Sequence, residues 1–209
     1  MAARPAEPAA VPYVQPPVLL ALPGPEFPQV NFDPPLPHGA GAPEERAARR
    51  GDPFVIGGRS LLLQRERAVD SEDHCERTAG SIWDCSLVLA KYLARHGELL
   101  VRGKRVIELG AGQGVVGISC FLAGAAKVTL TDVAAALPSL EANLRLNGAH
   151  PPNGAAVLDW LHPDVSHLEP AQVIVAADVV WVENLAAPFV QALKRVCEAS
   201  AAAMGAAEG

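Results

Sequence analysis

The sequence predicts an α/β protein built on a parallel β-sheet with helices on both faces. Three observations predict it. Short apolar stretches alternate with stretches of helical period, a glycine-rich turn joins one such pair, and acidic residues follow several of the apolar stretches. Strands that alternate with helices at this spacing indicate parallel pairing, because a parallel connection needs a crossover long enough to hold a helix.

The individual elements begin at residue 54. Residues 54–56 and 61–64 are expected to form two short strands about a glycine turn. A helix begins at Trp83, with Asp84 as its expected N-cap because a short acceptor side chain suits that position. Further strands are expected at residues 104–109, 127–131, 155–158 and 173–177, and further helices at residues 115–122, 137–146 and 185–197.

Composition divides the 209 residues into three parts. Residues 1–53 hold most of the prolines and show no strand or helix period, so we expect a disordered Pro/Ala-rich tail. Residues 54–198 form the expected core, and residues 199–209 an Ala-rich tail. Within the core, Asn184 is the expected cap of the last helix, with Pro188 in its first turn.

Charge and cysteine usage narrow the functional classes. A net charge of −6 and a pI near 5.5 argue against a nucleic-acid partner, which would require a phosphate-neutralising surface. No stretch approaches the roughly 20 apolar residues that cross a bilayer, so no membrane partner is expected. The four cysteines form neither a metal-ligand nor a disulfide pattern. We therefore expect no metal site, and a soluble protein of the cytoplasm or nucleus.

The glycine-rich segment from Glu108 to Gly117 is the strongest candidate for a cofactor site. Gly110, Gly112 and Gly114 would let the backbone turn tightly and approach a ligand. The spacing from Gly112 onwards also fits a dinucleotide, so NAD(P) stays open as an alternative, as does a tight turn without a ligand. Glu108 would repel a pyrophosphate but suits the ammonium of S-adenosylmethionine, directly or through water.

Other candidate residues follow the next strands. Asp132 stands where such folds place an acid on ribose hydroxyls. Asp159 and Trp160 follow the third strand, where a carboxylate and an indole could contact an adenine ring. Asp178 follows the fourth, at the edge where open α/β sheets place their chemistry. Each has a structural alternative: a helix cap for Asp132, core-edge packing for Trp160 and a loop cap for Asp178.

Three segments together resemble a known family. They are Ser81 to Leu93 with its Ile-Trp-Asp sequence, the Glu-Leu-Gly-Ala-Gly-Gln-Gly loop, and the run from Ala176 to Trp181. They resemble the seven-β-strand methyltransferase family 16, which includes protein lysine methyltransferases. The resemblance implies a Rossmann-like fold with S-adenosylmethionine as cofactor, and it places Trp83 in the donor pocket.

The same resemblance implies an acceptor site and a reaction. Asp178 and Trp181 correspond to the family's Asp-x-x-Tyr/Phe motif beside the transferred methyl, with Trp in place of Tyr or Phe, and are the catalytic candidates. The expected activity is methyl transfer to a protein side-chain amine, first of all lysine, with histidine or arginine as lesser options. A chaperone or translation factor is the implied substrate. A non-catalytic binding protein of the same fold remains an alternative, as does an NAD(P) oxidoreductase.

The resemblance also sets an expectation for the end of the chain. Family members continue past the helix after strand four into three more strands, so we expect this chain to lack the last strands of the usual seven. Strand 173–177 would then be an exposed, apolar sheet edge, and the chain would be poorly stable and weakly active. A complete chain is expected to be a monomer.

Overall fold

The computed structural model describes residues 19–21, 54–64 and 78–205. These residues form seven strands and four α-helices, with a short 3₁₀ helix at Ala134–Ala136. In chain order they are β1 (Leu19–Ala21), β2 (Phe54–Ile56), β3 (Arg59–Leu61), α1 (Asp84–Leu100), β4 (Arg105–Leu109), α2 (Val115–Leu122), β5 (Lys127–Asp132), α3 (Leu137–Leu146), β6 (Gly154–Val157), β7 (Val173–Val175) and α4 (Glu183–Gly205).

The main sheet confirms the predicted α/β fold. Its strand order is β1-β7-β4-β5-β6, and β7, β4, β5 and β6 are parallel to one another. The central strand β4 pairs with β5 on one side and β7 on the other, so Glu108 lies opposite both Leu130 and Val175. β2 and β3 form a separate antiparallel hairpin about the predicted glycine turn.

Alternate strand residues enter two cores, one on each face of the sheet. Val106 and Val128 belong to the larger core, with apolar side chains of the hairpin, α1, α2 and α3. Ile107 and Ile174 point the other way and pack with Phe189 and other residues of α4. The predicted cover of helices on both faces is therefore confirmed.

Several element ends differ from the prediction. β3 covers Arg59–Leu61 rather than residues 61–64, because the backbone beyond it pairs with asparagine side chains of α3 and its C-terminal end. Asp84 is not the cap of α1. Instead Trp83 occupies the N-cap position, without a side-chain cap hydrogen bond, and Asp84 is the first helical residue.

The last helix is longer than predicted at both ends. α4 begins at Glu183 rather than after Asn184, which places Pro188 beyond the first turn. It continues through the alanines to Gly205, since alanine has the highest helix propensity. The Ser200 hydroxyl accepts a hydrogen bond of 3.1 Å from the Ala171 amide. The predicted boundary at residue 198 therefore falls within a packed helix.

The sheet edge at β7 also differs from the prediction. β1 lies within the segment expected to be a disordered tail, yet it pairs antiparallel with β7, with Leu19 opposite Val175. The edge that was expected to be exposed is thus covered by these three residues. The other residues of the expected N-terminal tail lie outside the described residues, namely 1–18 and 22–53. The same holds for residues 206–209 of the Ala-rich tail.

Two features are absent from the described residues. No helix among them has both the length and the apolar character that crossing a bilayer requires. In the same ranges, no three His, Cys, Asp or Glu side chains are grouped as metal ligands.

Candidate active site

The parallel strands bring the predicted site residues to one edge of the sheet. Because β4, β5, β6 and β7 run in the same direction, their carboxyl ends lie side by side. The glycine loop follows β4, Asp132 ends β5, Asp159 follows β6 and Asp178 follows β7. This is the edge at which open α/β sheets bind ligands.

The three loop glycines all have positive φ, between 54° and 79°, but they face different surroundings. A Cβ on Gly110 would lie 2.8 Å from Val179 and 2.9 Å from Trp160, and one on Gly114 would lie 2.7 Å from Leu130. A Cβ on Gly112 would meet nothing nearer than 3.4 Å. Gly110 and Gly114 therefore serve packing of the chain itself, whereas a Cβ on Gly112 would make only ordinary contacts, with the main chain of Ala79 and Ser81.

Asp132 supports this loop directly. One carboxylate oxygen accepts a hydrogen bond of 2.7 Å from the Gly112 amide, and the other accepts one of 2.8 Å from the Val133 amide. Burial raises the pKa of Asp132, and these two amides oppose the increase. The acid predicted to bind ribose thus also holds the glycine loop at Gly112.

Glu108 has a structural contact that the sequence did not predict. Its side chain is only 3 % exposed, and it accepts a hydrogen bond of 2.7 Å from the Gly117 amide near the start of α2. A Cβ on Gly117 would lie 2.6 Å from the same oxygen, so the carboxyl group fills the notch that this glycine leaves. In this arrangement Glu108 anchors the start of α2 beneath the loop. The geometry favours this contact over a direct contact with a ligand ammonium.

Burial makes Glu108 a weak acid. It raises the pKa of Glu108 from 4.5 to about 8; the negative charge of Asp132 adds to the increase, and amide hydrogen bonds from α2 oppose it. Burial in this site therefore favours the protonated form of Glu108.

The sequence analysis missed Gln113, a buried residue inside the loop. Its side-chain amide donates to the Ala79 carbonyl at 2.9 Å, and the Asn143 amide donates to the Gln113 main-chain carbonyl at 2.9 Å. Gln113 therefore connects the glycine loop, α3 and the segment that precedes Trp83. A polar residue between two glycines at the start of an apolar helix was the available signal.

Asp159 and Trp160 lie close to the loop but are engaged by the protein itself. Asp159 accepts from the Leu161 amide at 2.9 Å, which closes a local turn. The Trp160 ring packs edge-on against Phe189 with centroids 5.1 Å apart, and it lies where a Cβ on Gly110 would be. This geometry favours the core-edge alternative for Trp160, while the predicted adenine contact of Asp159 stays a prediction.

The Trp160 indole nitrogen is buried and has no hydrogen-bond partner. Among the described residues it is the one buried side-chain polar atom without a hydrogen-bond partner. A buried N–H without an acceptor loses its interaction with water, so an acceptor supplied by a ligand would satisfy it.

An aromatic pair forms the other side of the site. Trp83 and Trp181 are stacked, with centroids 6.1 Å apart and an angle of 22° between the ring planes. Their side chains are 40 % and 39 % exposed. Asp178 accepts a hydrogen bond of 2.7 Å from the Cys85 amide in the first turn of α1, so it joins the two segments that carry the indoles. The structure thus brings Trp83 together with both members of the predicted acceptor pair.

Comparison with protein families decides the relationship. A family model described as lysine methyltransferase matches residues 66–208. The chain belongs to this lysine methyltransferase family. The match includes the described residues of the glycine loop, Asp132 and the aromatic pair.

Individual relatives agree with the family match. The chain is 33 % identical to EEF1A lysine methyltransferase 3 of Xenopus tropicalis over 120 residues, covering 57 % of this chain and 53 % of that protein. It is 36 % identical to the protein N-lysine methyltransferase METTL21A of Danio rerio over 126 residues, covering 56 % and 55 %. The chain thus spans about half the length of these relatives.

Among solved structures, a putative RNA methyltransferase from Pyrococcus horikoshii is similar, with a TM-score of 0.41 and 22 % identity. The similarity covers 51 % of this chain and 53 % of that one.

Proposed function

We propose that this protein transfers a methyl group from S-adenosylmethionine to a lysine side chain of another protein. The observation that carries the proposal is that the positive-φ glycine loop and the stacked Trp83–Trp181 pair meet at one sheet edge of a lysine methyltransferase family member. One feature suits a ligand that approaches bare backbone, and the other offers a surface for a cationic side chain.

The residues fit an adenosine-containing methyl donor. The glycine loop exposes main chain without side chains, and Asp132 ends the strand where ribose hydroxyls lie in this kind of fold. The buried Trp160 N–H has no partner and could donate to a ligand. Trp83 would line the methionine side of this space. When bound, S-adenosylmethionine supplies an electrophilic methyl group on a positively charged sulfur.

The acceptor amine must lose its proton before it attacks. An ordinary lysine has a pKa of about 10.4, so presenting it neutral at pH 7 costs roughly 4.6 kcal/mol. The indole faces of Trp83 and Trp181 would exclude water from the amine, which lowers its pKa, and they would fix its direction. With the amine neutral and so oriented, its lone pair would be available to take the methyl group that S-adenosylmethionine supplies as its C–S bond breaks, and the methylated amine would release its extra proton to water.

The protein substrate is the less defined part of the proposal. Relatives whose names specify EEF1A make that protein the first substrate to test. We propose a protein partner, action as a monomer, and a location in the cytoplasm or nucleus. The free Cys85, Cys120 and Cys197 among the described residues support a reducing compartment.

The first test is titration calorimetry of the purified protein with S-adenosylmethionine and, separately, with NAD. We expect heat of binding with S-adenosylmethionine alone. Binding of NAD without S-adenosylmethionine would contradict the proposal and favour the oxidoreductase alternative.

The second test is transfer of a radiolabelled methyl group to EEF1A and to a cell lysate. Trp181→Ala should lower transfer about tenfold or more, because it removes one wall of the acceptor site, and it should leave donor affinity within about twofold. Val190→Ala changes an exposed apolar side chain on α4 and is the matched control. Donor binding without transfer to any protein would instead favour the non-catalytic alternative.

A further inference from the structure

The N-terminus of α1 has an unusual cap. Trp83 occupies the N-cap position, and its side chain makes no cap hydrogen bond. The acceptor comes instead from Asp178, 93 residues away in the sequence, whose carboxylate receives the Cys85 amide at 2.7 Å. A carboxylate at this position satisfies an otherwise unpaired helix amide and interacts favourably with the helix dipole.

Asp178 adopts a backbone conformation that serves this contact. Its φ of 55° lies in the left-handed region, and it is the one non-glycine residue with positive φ in the described part of the chain. The conformation costs a side chain about 1–2 kcal/mol, although Asp and Asn adopt it more readily than most residues. The surrounding contacts must offset that cost, so the turn at Asp178 is part of a built arrangement.

The Cys85 thiol is protonated beside this carboxylate. Burial raises the pKa of Cys85 to about 12, and the negative charge of Asp178 adds to the increase. The thiol therefore keeps its proton across the physiological range, and the geometric link between α1 and Asp178 is the main-chain hydrogen bond from Cys85.

The hydrogen bond from Cys85 to Asp178 links the segments that carry the two indoles. Trp83 immediately precedes α1, and Trp181 lies three residues after Asp178. This hydrogen bond thus connects the start of α1 to the loop after β7 beside the 6.1 Å indole stack. Without it, the two segments would lose one of the contacts that hold them together.

We propose that Asp178 is a positioning residue, which holds the Trp83–Trp181 pair together by capping α1 and does not contact the acceptor amine. Its effect on methyl transfer rests on the proposed function, whereas its effect on the indole pair does not. The proposal assigns the carboxylate to hydrogen-bond acceptance, a task that an amide oxygen also performs, and not to charge or proton transfer.

Three variants separate these roles. Asp178→Asn keeps an acceptor and tolerates the positive φ, Asp178→Gly keeps the backbone conformation without the acceptor, and Asp178→Ala loses both. Near-ultraviolet circular dichroism of the full chain reports the indole stack without requiring activity. Trp83→Phe and Trp181→Phe identify the part of the signal that comes from the pair.

We expect Asp178→Asn to keep the signal of the pair and most of the kcat, and its pH profile to match that of the wild type. Asp178→Gly and Asp178→Ala should lose the signal and lower kcat about tenfold, in line with the usual cost of a lost cap. Asp164→Ala removes an exposed carboxylate that accepts a hydrogen bond from the Ser166 amide. It is the control for the loss of any amide-bound aspartate, away from the indole pair.

Two results would overturn the proposal. An Asp178→Asn variant that keeps the indole signal but is as inactive as Asp178→Ala would assign the carboxylate a charge or base role. An unchanged indole signal in Asp178→Gly would show that the contact does not hold the pair. If the wild-type chain transfers no methyl group, the proposed function fails, while the dichroism of the three variants still decides the positioning role.

Discussion

The two sides of the candidate site are built differently. On the proposed donor side, around the glycine loop, the buried Glu108 and the partly buried Asp132 are hydrogen-bonded to amides nine and twenty residues away. On the acceptor side, two indoles each about 40 % exposed are joined through one carboxylate that acts across 93 residues. Local backbone geometry fixes the first side, whereas the second depends on the meeting of distant segments.

The largest expected effect tests whether the donor side is the cofactor site. Gly112→Arg should raise the dissociation constant for S-adenosylmethionine by about a hundredfold or more, because a long side chain would occupy the space before the loop. Calorimetry measures the constant. Gly148→Arg is the control, since Gly148 also has positive φ and has nothing within 4 Å. Equal affinity in both variants would place the cofactor elsewhere.

A second variant tests the packing role of the neighbouring glycine. Gly110→Ala should lower the free energy of unfolding by about 2–4 kcal/mol, because the added methyl meets Val179 and Trp160 and the backbone has positive φ. Denaturant titration measures the loss. Gly103→Ala shares the positive φ in open space, so it should lose only about 1–2 kcal/mol. The difference between the two variants isolates the contact.

A pH series tests the buried acid. Because the pKa of Glu108 is raised to about 8, the folded protein keeps a proton that the unfolded chain releases above pH 4.5. The contribution of Glu108 to the free energy of unfolding therefore falls as pH rises from 4.5 to about 8, by up to about 1.4 kcal/mol per pH unit. Glu108→Gln keeps an acceptor without this titration, so its melting temperature relative to wild type should rise from pH 5 to pH 8.

The control for that series is Glu141→Gln, which changes an exposed carboxylate on α3. Its melting temperature relative to wild type should stay constant with pH. A constant difference for Glu108→Gln as well would mean that Glu108 is charged in the folded state.

The smallest expected effect concerns the sheet edge beside the acceptor side. Removing residues 1–21 deletes β1, whereas removing residues 1–18 retains it. The longer deletion should lower the melting temperature by about 2–4 °C relative to the shorter, because it costs β7 a few backbone hydrogen bonds. Equal melting temperatures would restore the sequence-based expectation that this region adds nothing to stability.

The same contrast explains what could be predicted from the sequence. Strand and helix types followed from hydrophobic period, and the glycine loop followed from a local pattern, since both are set by neighbouring residues. The role of Asp178 as the cap of α1 could not be predicted from the sequence, because any of several acids could accept the amide at the start of that helix. The contact of Glu108 with α2 could not be predicted for a related reason: the pattern located the acid but not the notch at Gly117 that receives it, and its role towards a ligand stays a prediction.

The ends of elements were hard to predict for another reason. Asn143 and Asn147 accept from the Gln64 and Leu62 amides, so the chain after β3 pairs with side chains rather than with a strand. Such pairing leaves no periodic pattern in the segment that receives it. The alanines after residue 198 were predicted to be a tail but belong to α4. Their low-complexity sequence gave no sign of the helix face that packs through Ser200.

Asn143 also makes the hairpin and the glycine loop thermodynamically dependent on each other. Its oxygen receives the Gln64 amide while its nitrogen donates to Gln113, so one fully buried amide completes contacts on both sides. A substitution that flips or removes this amide strains two structures at once. Inherited variation at Asn143 would therefore alter cofactor affinity and hairpin stability together, and compensating changes at Gln113 alone would restore only one of them.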